Sequence, residues 1–181
     1  MSDDELYRTY LAGDMSAGDT LMLRYGDALT KYLSSLLHDM NDAEDLMLDC
    51  FTVILVDKPR IADGHFRAYL FRVARNMAAR QWKQKFRRQE FTLDEELPDE
   101  DHFPEKMMIS EERRNILRHC LNRIAPQYRE ALWLFYEMDM SYAQSAEVLK
   151  CSTKKIEDLL RNGKKRLRLE LEKEGITDAD I

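Results

Sequence analysis

The sequence predicts an all-α protein of two small helical domains joined by an acidic linker, and three observations predict it. Breakers are scarce, with six Gly and four Pro among 181 residues, and apolar side chains recur at helical rather than alternating spacing. Charge is segmented: residues 1–89 carry 13 acidic and 13 basic side chains, residues 90–112 carry 10 and 1, and residues 113–181 carry 11 and 14, so the net −6 arises in the middle. That middle stretch also contains Pro98 and Pro104 and little apolar periodicity, the marks of a tether. The expected organisation is a first domain over 1–89, an acidic linker over 90–110, a second domain over 111–174 and a tail over 175–181.

Composition narrows the class further. Hydrophobic residues at 44% with charged residues at 34% describe a charge-rich globular chain. No apolar run approaches the roughly 18 residues of a membrane span, and Asp3, Asp4 and Glu5 are unlike the basic start of a signal peptide, so a cytoplasmic location with no membrane span is expected. Cys50, Cys120 and Cys151 are odd in number and far apart, which favours reduced packing residues over a disulfide framework. No two of His38, His65, His102 and His119 have the i, i+4 spacing of a helical metal site. A helical metalloenzyme is thereby disfavoured; neither a metal nor another cofactor is expected.

In chain order, a short helix and a longer one occupy the stretch from Leu6 to about Leu37, with Gly13 and Gly18 marking the break between them. Asn41 or Asp42 can cap the next helix, which should run to Lys58 before Pro59. Its face of Ala43, Met47, Cys50, Phe51 and Ile54 is core. Asp45, Leu48, Asp49, Thr52 and Val56 project from the other side and mix acids with apolar groups, as a protein partner's docking face does. A solvated face with two stray hydrophobes fits the spacing equally well.

Residues 58–65 form a loop with an Asp63-Gly64 turn, and a long helix follows over about 66–86. A helical wheel assigns Phe66, Tyr69, Leu70, Val73 and Met77 to its core stripe. Phe71, Arg75, Trp82 and Phe86 lie opposite, with Arg72, Asn76 and Lys83 at the border. Seven cations and no acid occur over 72–88. Cations neutralise phosphates, aromatic faces stack on unpaired bases and an amide reads a base edge, so this face suits single-stranded or melting DNA. The alternative is that Phe71 and Trp82 pack against a neighbouring helix and only the arginines meet solvent.

In the second domain, Ser110, Glu111 and Glu112 open a helix through Ile116, Leu117, Cys120, Leu121 and Ile124, and Pro126 separates it from a helix over 127–138 carrying Leu132, Trp133, Phe135 and Tyr136. Ser141 with Gln144 forms a capping box that starts a short helix burying Ala146, Val148 and Leu149. Lys150 and Cys151 make a tight turn, and Ser152 caps a last helix running to about Glu174. This is a four-helix domain ending in a helix-turn-helix. In such a module the start of the second helix enters the major groove. Thr153, Lys154, Lys155, Glu157, Asp158 and Arg161 are placed to meet bases, Lys164, Lys165, Arg166 and Arg168 to meet phosphate, and Ile156, Leu160 and Leu167 to pack inward.

Taken together these pieces resemble the extracytoplasmic-function (ECF) group of the bacterial RNA polymerase sigma-70 family, over nearly the whole chain. Asp42-Ala43-Glu44-Asp45-Leu46 with Phe51 is similar to the family's core-polymerase-binding helix, and Phe66-Arg67-Ala68-Tyr69-Leu70-Phe71-Arg72-Val73-Ala74-Arg75-Asn76 to its promoter-melting helix. Arg129-Glu130, Ser141-Tyr142, Ala146-Glu147-Val148-Leu149, Ser152 and Lys164-Lys165-Arg166-Leu167 resemble the domain that reads the minus-thirty-five element.

The resemblance implies a sigma factor, not an enzyme, that binds core RNA polymerase and directs promoter recognition and melting. It implies core binding by Asp45, Leu48, Asp49, Thr52 and Val56. Minus-ten DNA would meet the loop Arg60, Ile61, Ala62, Asp63, Gly64 and His65, which receives a flipped base, and Arg72, Arg75, Asn76, Arg80 and Lys83, which hold the melted strand. Minus-thirty-five DNA would meet Ser152, Thr153, Lys154, Lys155, Glu157, Asp158, Arg161, Lys164 and Lys165. Its partners are core RNA polymerase, promoter DNA and, as in much of the family, an anti-sigma factor. The chain departs from the family pattern at Leu48 (usually Gln), Tyr69 (usually Trp), Lys150 (usually Gly), and Glu157, Asp158 and Leu159 (commonly Lys, Ser and Arg). Two competing readings remain: a sigma-like regulator that binds polymerase or DNA without opening it, and an interaction protein whose acidic linker is the functional part.

Overall fold

The computed structural model describes residues 1–89 and 111–176, without the side chains of 86–89, 111, 112 and 114. The linker expected at 90–110, the Ser110 helix start and the Phe86 side chain lie outside the described residues. All regular structure in the described residues is helical, and it forms two units.

The first unit holds α1 (Asp3–Leu11), α2 (Met15–Leu37), α3 (Met40–Asp57) and α4 (Phe66–Gln89). Helix α1 begins with a reciprocal capping box in which Ser2 and Glu5 satisfy each other's backbone N–H groups, and it stops before Gly13, whose φ of 111° suits glycine. Gly18 is not part of the break. It lies inside α2, buried, where a Cβ would sit 2.9 Å from Cδ2 of Tyr10. Its role is close approach of α1 to α2. Asp39, not Asn41 or Asp42, caps α3 by accepting from the Asp42 N–H; His38 turns left-handed at φ 55° to end α2, and the next helix starts two or three residues earlier than expected.

Helix α4 packs on α2 and α3, and its buried residues are Phe66, Ala68, Leu70, Phe71, Ala74 and Ala78. Phe71 therefore belongs to the core and not to the opposite face: it is 0% exposed, 5.3 Å from the Tyr32 ring and edge-on to Tyr25 at 6.5 Å. Tyr69, Val73 and Met77 are only half-buried. A wheel with one apolar stripe misplaces these residues because α4 is covered on more than one side, where small alanines admit neighbours closely.

The second unit holds α5 (Glu111–Arg123), α6 (Pro126–Leu132), a π-helical turn (Trp133–Glu137), α7 (Tyr142–Leu149) and α8 (Thr153–Lys173). Pro126 starts α6 at a position where its missing N–H costs nothing. The helix expected over 127–138 widens at its end, with the Met138 N–H reaching the Trp133 carbonyl at 3.1 Å. That extra residue buries Trp133 and Leu134 and leaves Tyr136 48% exposed, so Tyr136 is not a core anchor. Ser141 and Gln144 form the capping box of α7, Lys150 takes φ 54° at the turn, and the Ser152 hydroxyl accepts from the Lys155 N–H to start α8. Leu121, Ile124, Leu132, Ala146, Ile156, Leu159 and Leu160 make the core. Helix α8 crosses α6 at Gly163, where a Cβ would meet Leu132 and Tyr128 at 3.3 Å.

Candidate functional site

Three surfaces gather the residues singled out by sequence. On α3, Asp45, Leu48, Asp49, Thr52 and Val56 are all exposed, Leu48 by 50% and Val56 by 70%. Helical spacing puts them on one face because Leu46, Cys50, Phe51 and Ile54 are drawn inward. The Thr52 hydroxyl donates to the Leu48 carbonyl at 2.9 Å, which makes this acid-flanked face more apolar than its composition suggests.

The second surface joins the α3–α4 loop to the outer side of α4. Lys58 and Gly64 are left-handed, at φ 47° and 81°, and bracket a loop in which Arg60, Ala62, Asp63, Gly64 and His65 are exposed and Ile61 is half-buried. The loop is held from a distance. The Tyr7 hydroxyl donates to the Pro59 carbonyl at 2.7 Å, the Gly64 N–H donates to Asp4 at 2.8 Å, and Arg8 pairs with Asp63 at 2.6 Å. Burial pushes the Tyr7 hydroxyl up to about 12, so it remains a donor throughout the physiological range. Asp4, Tyr7 and Arg8 were missed by sequence reasoning, since partners 52 to 60 residues away leave no local periodicity.

Along α4, Arg72, Arg75 and Asn76 are half-buried, Arg80 and Lys83 are exposed, and Trp82 is 38% exposed. The Arg72 guanidinium lies 5.0 Å from the Tyr69 ring centroid, an orientation that fixes the charge without neutralising it. Lys85 instead pairs with Asp42 of α3. Of the aromatics proposed to face DNA, Trp82 has an exposed ring while Phe71 does not.

The third surface is the start and outer face of α8. Ser152, Thr153, Lys154, Lys155, Glu157, Arg161, Lys164 and Lys165 are exposed, and Asp158 is half-buried and paired with Arg161. Leu159 is 5% exposed and packs in the core, so it is not among the side chains facing outward. Lys164 lies over the Tyr136 ring at 5.0 Å and Arg166 over Tyr128 at 5.2 Å. The π-helical turn that exposes Tyr136 thus seats one of the α8 cations, a link invisible from periodicity.

Comparison with known proteins identifies the family. Sigma-70 region 2 matches residues 21–88 and Sigma-70, region 4 matches residues 114–167, together well over half of the chain. The chain is 24% identical to the ECF RNA polymerase sigma factor SigM of Bacillus subtilis (strain 168), covering 88% of this chain and 98% of that one. It is 27% identical to the RNA polymerase sigma-H factor of Pseudomonas aeruginosa, covering 82% and 83%. Among solved structures, the sigma factor RpoE of Bartonella quintana, in complex with the anti-sigma factor NepR, matches with a TM-score of 0.72 at 22% identity, covering 85% and 96%. No helix among the described residues is long and apolar enough to cross a membrane. The two matched regions in their order, the two helical units that carry them and the similarity to ECF sigma factors lead to one assignment: this chain belongs to the ECF group of the sigma-70 family and is a sigma factor that directs promoter recognition, not an enzyme.

Proposed function

We propose that the three surfaces divide the work of initiation. Asp45, Leu48, Asp49, Thr52 and Val56 bind core RNA polymerase; the apolar pair flanked by acids gives a desolvated contact with charge-set register. Arg60, Ile61, Ala62, Asp63, Gly64 and His65 receive a base of the minus-ten element. Arg72, Arg75, Asn76, Arg80 and Lys83 hold the melted strand. Unstacking a base costs a few kcal/mol, and phosphate neutralisation with stacking along α4 offsets it. Ser152, Thr153, Lys154, Lys155, Glu157, Asp158 and Arg161 meet the minus-thirty-five duplex, with Lys164 and Lys165 on phosphate. Residues 1–89 and 111–174 act as separate DNA-reading domains with 90–110 as the tether.

The observation that carries this reading is the outer side of α4. It presents Arg80, Lys83 and a 38% exposed Trp82 with no acid in the helix beyond residue 66, an arrangement suited to phosphates and unpaired bases. It favours strand opening over a role confined to duplex binding. An anti-sigma factor is a further partner, supported by the complex in which the Bartonella quintana relative was solved.

The test is multiple-round transcription on fragments of the source genome with core polymerase, with and without the protein, followed by mapping of starts. New starts sharing two spaced upstream elements are expected. Core binding without new starts would overturn the melting role of α4.

A further inference from the structure

We propose that α1 is the mount of the base-receiving loop, and that Asp4, Tyr7 and Arg8 are positioning residues for promoter reading. This deepens the reading above and rests on its assignment of the loop at 60–65.

The three residues stand at i, i+3 and i+4 on α1 and so share one face. Each grips a different point of the loop or its entry: Tyr7 the Pro59 carbonyl, just before Arg60; Arg8 the Asp63 carboxylate; Asp4 the Gly64 N–H. The contacts fall at both ends of a segment that has no regular hydrogen-bond ladder and would otherwise sample many conformations. Helix α1 is itself fixed. Its Tyr10 hydroxyl donates to the Leu55 carbonyl at 2.7 Å, Asp3 binds Arg24 and Tyr25 of α2, and the Tyr7 ring packs 5.3 Å from Phe66, the first residue of α4.

Two features set this apart from general stabilisation. The Arg8–Asp63 pair is exposed, with side chains 56% and 72% accessible, and exposed pairs add little to global stability. Its effect falls on the population of one loop conformation. Asp63 is also the one carboxylate of the 58–65 loop, and Arg8 cancels the charge that would repel a phosphate backbone. A loop held in advance admits a base without ordering at the moment of binding, which is how preorganisation raises affinity.

The experiment uses holoenzyme reconstituted from core polymerase and the full chain. Open-complex formation is measured on a mapped promoter and on versions with single abasic sites stepped through the non-template strand of the upstream melted element. The variants are Tyr7→Phe, Asp4→Asn and Arg8→Ala, with Arg8→Lys as conservative rescue and Arg60→Ala with His65→Ala as loop controls. On the intact promoter the α1 variants should lose about threefold to tenfold, the scale of one released hydrogen bond or ion pair. That deficit should vanish on the one template lacking the base the loop reads, while melting temperature and core binding stay near wild type.

A deficit equal on every template, or none at all, overturns the mount. If the loop controls show a deficit tied to one base position and the α1 variants do not, the mount fails and the loop reading survives. If the loop controls show no such position, the loop reading fails and takes the mount with it.

Discussion

Phe71 is the residue at which core packing and base stacking make opposite forecasts. Its ring is 0% exposed, lies 5.3 Å from Tyr32 and meets Tyr25 edge-on at 6.5 Å. Replacing it with Ala removes a fully buried aromatic, at a cost of about 3–5 kcal/mol, a large part of the ~5–15 kcal/mol that holds a typical domain. Phe71→Leu is more informative because it keeps most of the apolar volume. It forfeits two ring contacts worth about 0.5–1.5 kcal/mol each and some burial, or about 2–3 kcal/mol in all. For a unit of this size that lowers the melting temperature by about 10–20 °C. The assay is thermal unfolding of the full chain by circular dichroism, where the transition of the first unit should move and that of the second should not. Transcription is compared below the new transition on duplex and on pre-opened bubble templates, and the variant should retain activity on both. An unchanged melting temperature with a duplex-specific defect relieved by the bubble would refute the core assignment and make Phe71 a strand-opening residue.

Gly18→Ala should destabilise the first unit by about 1–2 kcal/mol despite the ~1 kcal/mol helix-propensity gain, because the new Cβ meets a buried Tyr10 ring whose hydroxyl is anchored on Leu55. Gly26→Ala, in the same helix with nothing within 4 Å, should instead stabilise it by about 0.5–1 kcal/mol; urea midpoints of the two variants decide. Asp158→Asn releases Arg161 and removes a charge facing phosphate, so duplex affinity should rise about threefold and the logarithmic salt slope steepen by about one, with stability within ~0.5 kcal/mol. Weaker binding in a salt titration would show instead that the Asp158 carboxylate accepts a hydrogen bond from a base. Burial raises the Cys50 thiol from 9.0 to about 12 and the Tyr7 hydroxyl from 10.0 to about 12, and it raises Tyr25 as well. Folded values above unfolded ones mean that this stabilisation is complete below about pH 9 and is lost as pH climbs toward 12. The first unit's melting temperature should therefore fall over that window, and less steeply in Cys50→Ala.

Much of this molecule is carried by local rules. Scarce breakers, helical spacing and the Ser141–Gln144 box require only the residues within a turn of each other, so the all-α class, the helix order and the turn before Ser152 are legible in the chain. The face of α3 is equally legible, since one buried stripe dictates the exposed residues opposite. Segmental charge belongs to sequence too, because it needs no geometry. What the sequence leaves open depends on which neighbours arrive from far along the chain. Phe71 occupies a wheel position that suits an outward face, and it is buried because α4 is covered on more than one side. The π-helical turn that lifts Tyr136 beneath Lys164 arises from packing around Trp133 and Leu134. The grip of Asp4, Tyr7 and Arg8 on a loop more than 50 residues away belongs wholly to tertiary structure. Periodicity reports the face a helix turns to the interior; only the folded chain decides how many neighbours cover that helix, and which distant side chains hold its loops in place.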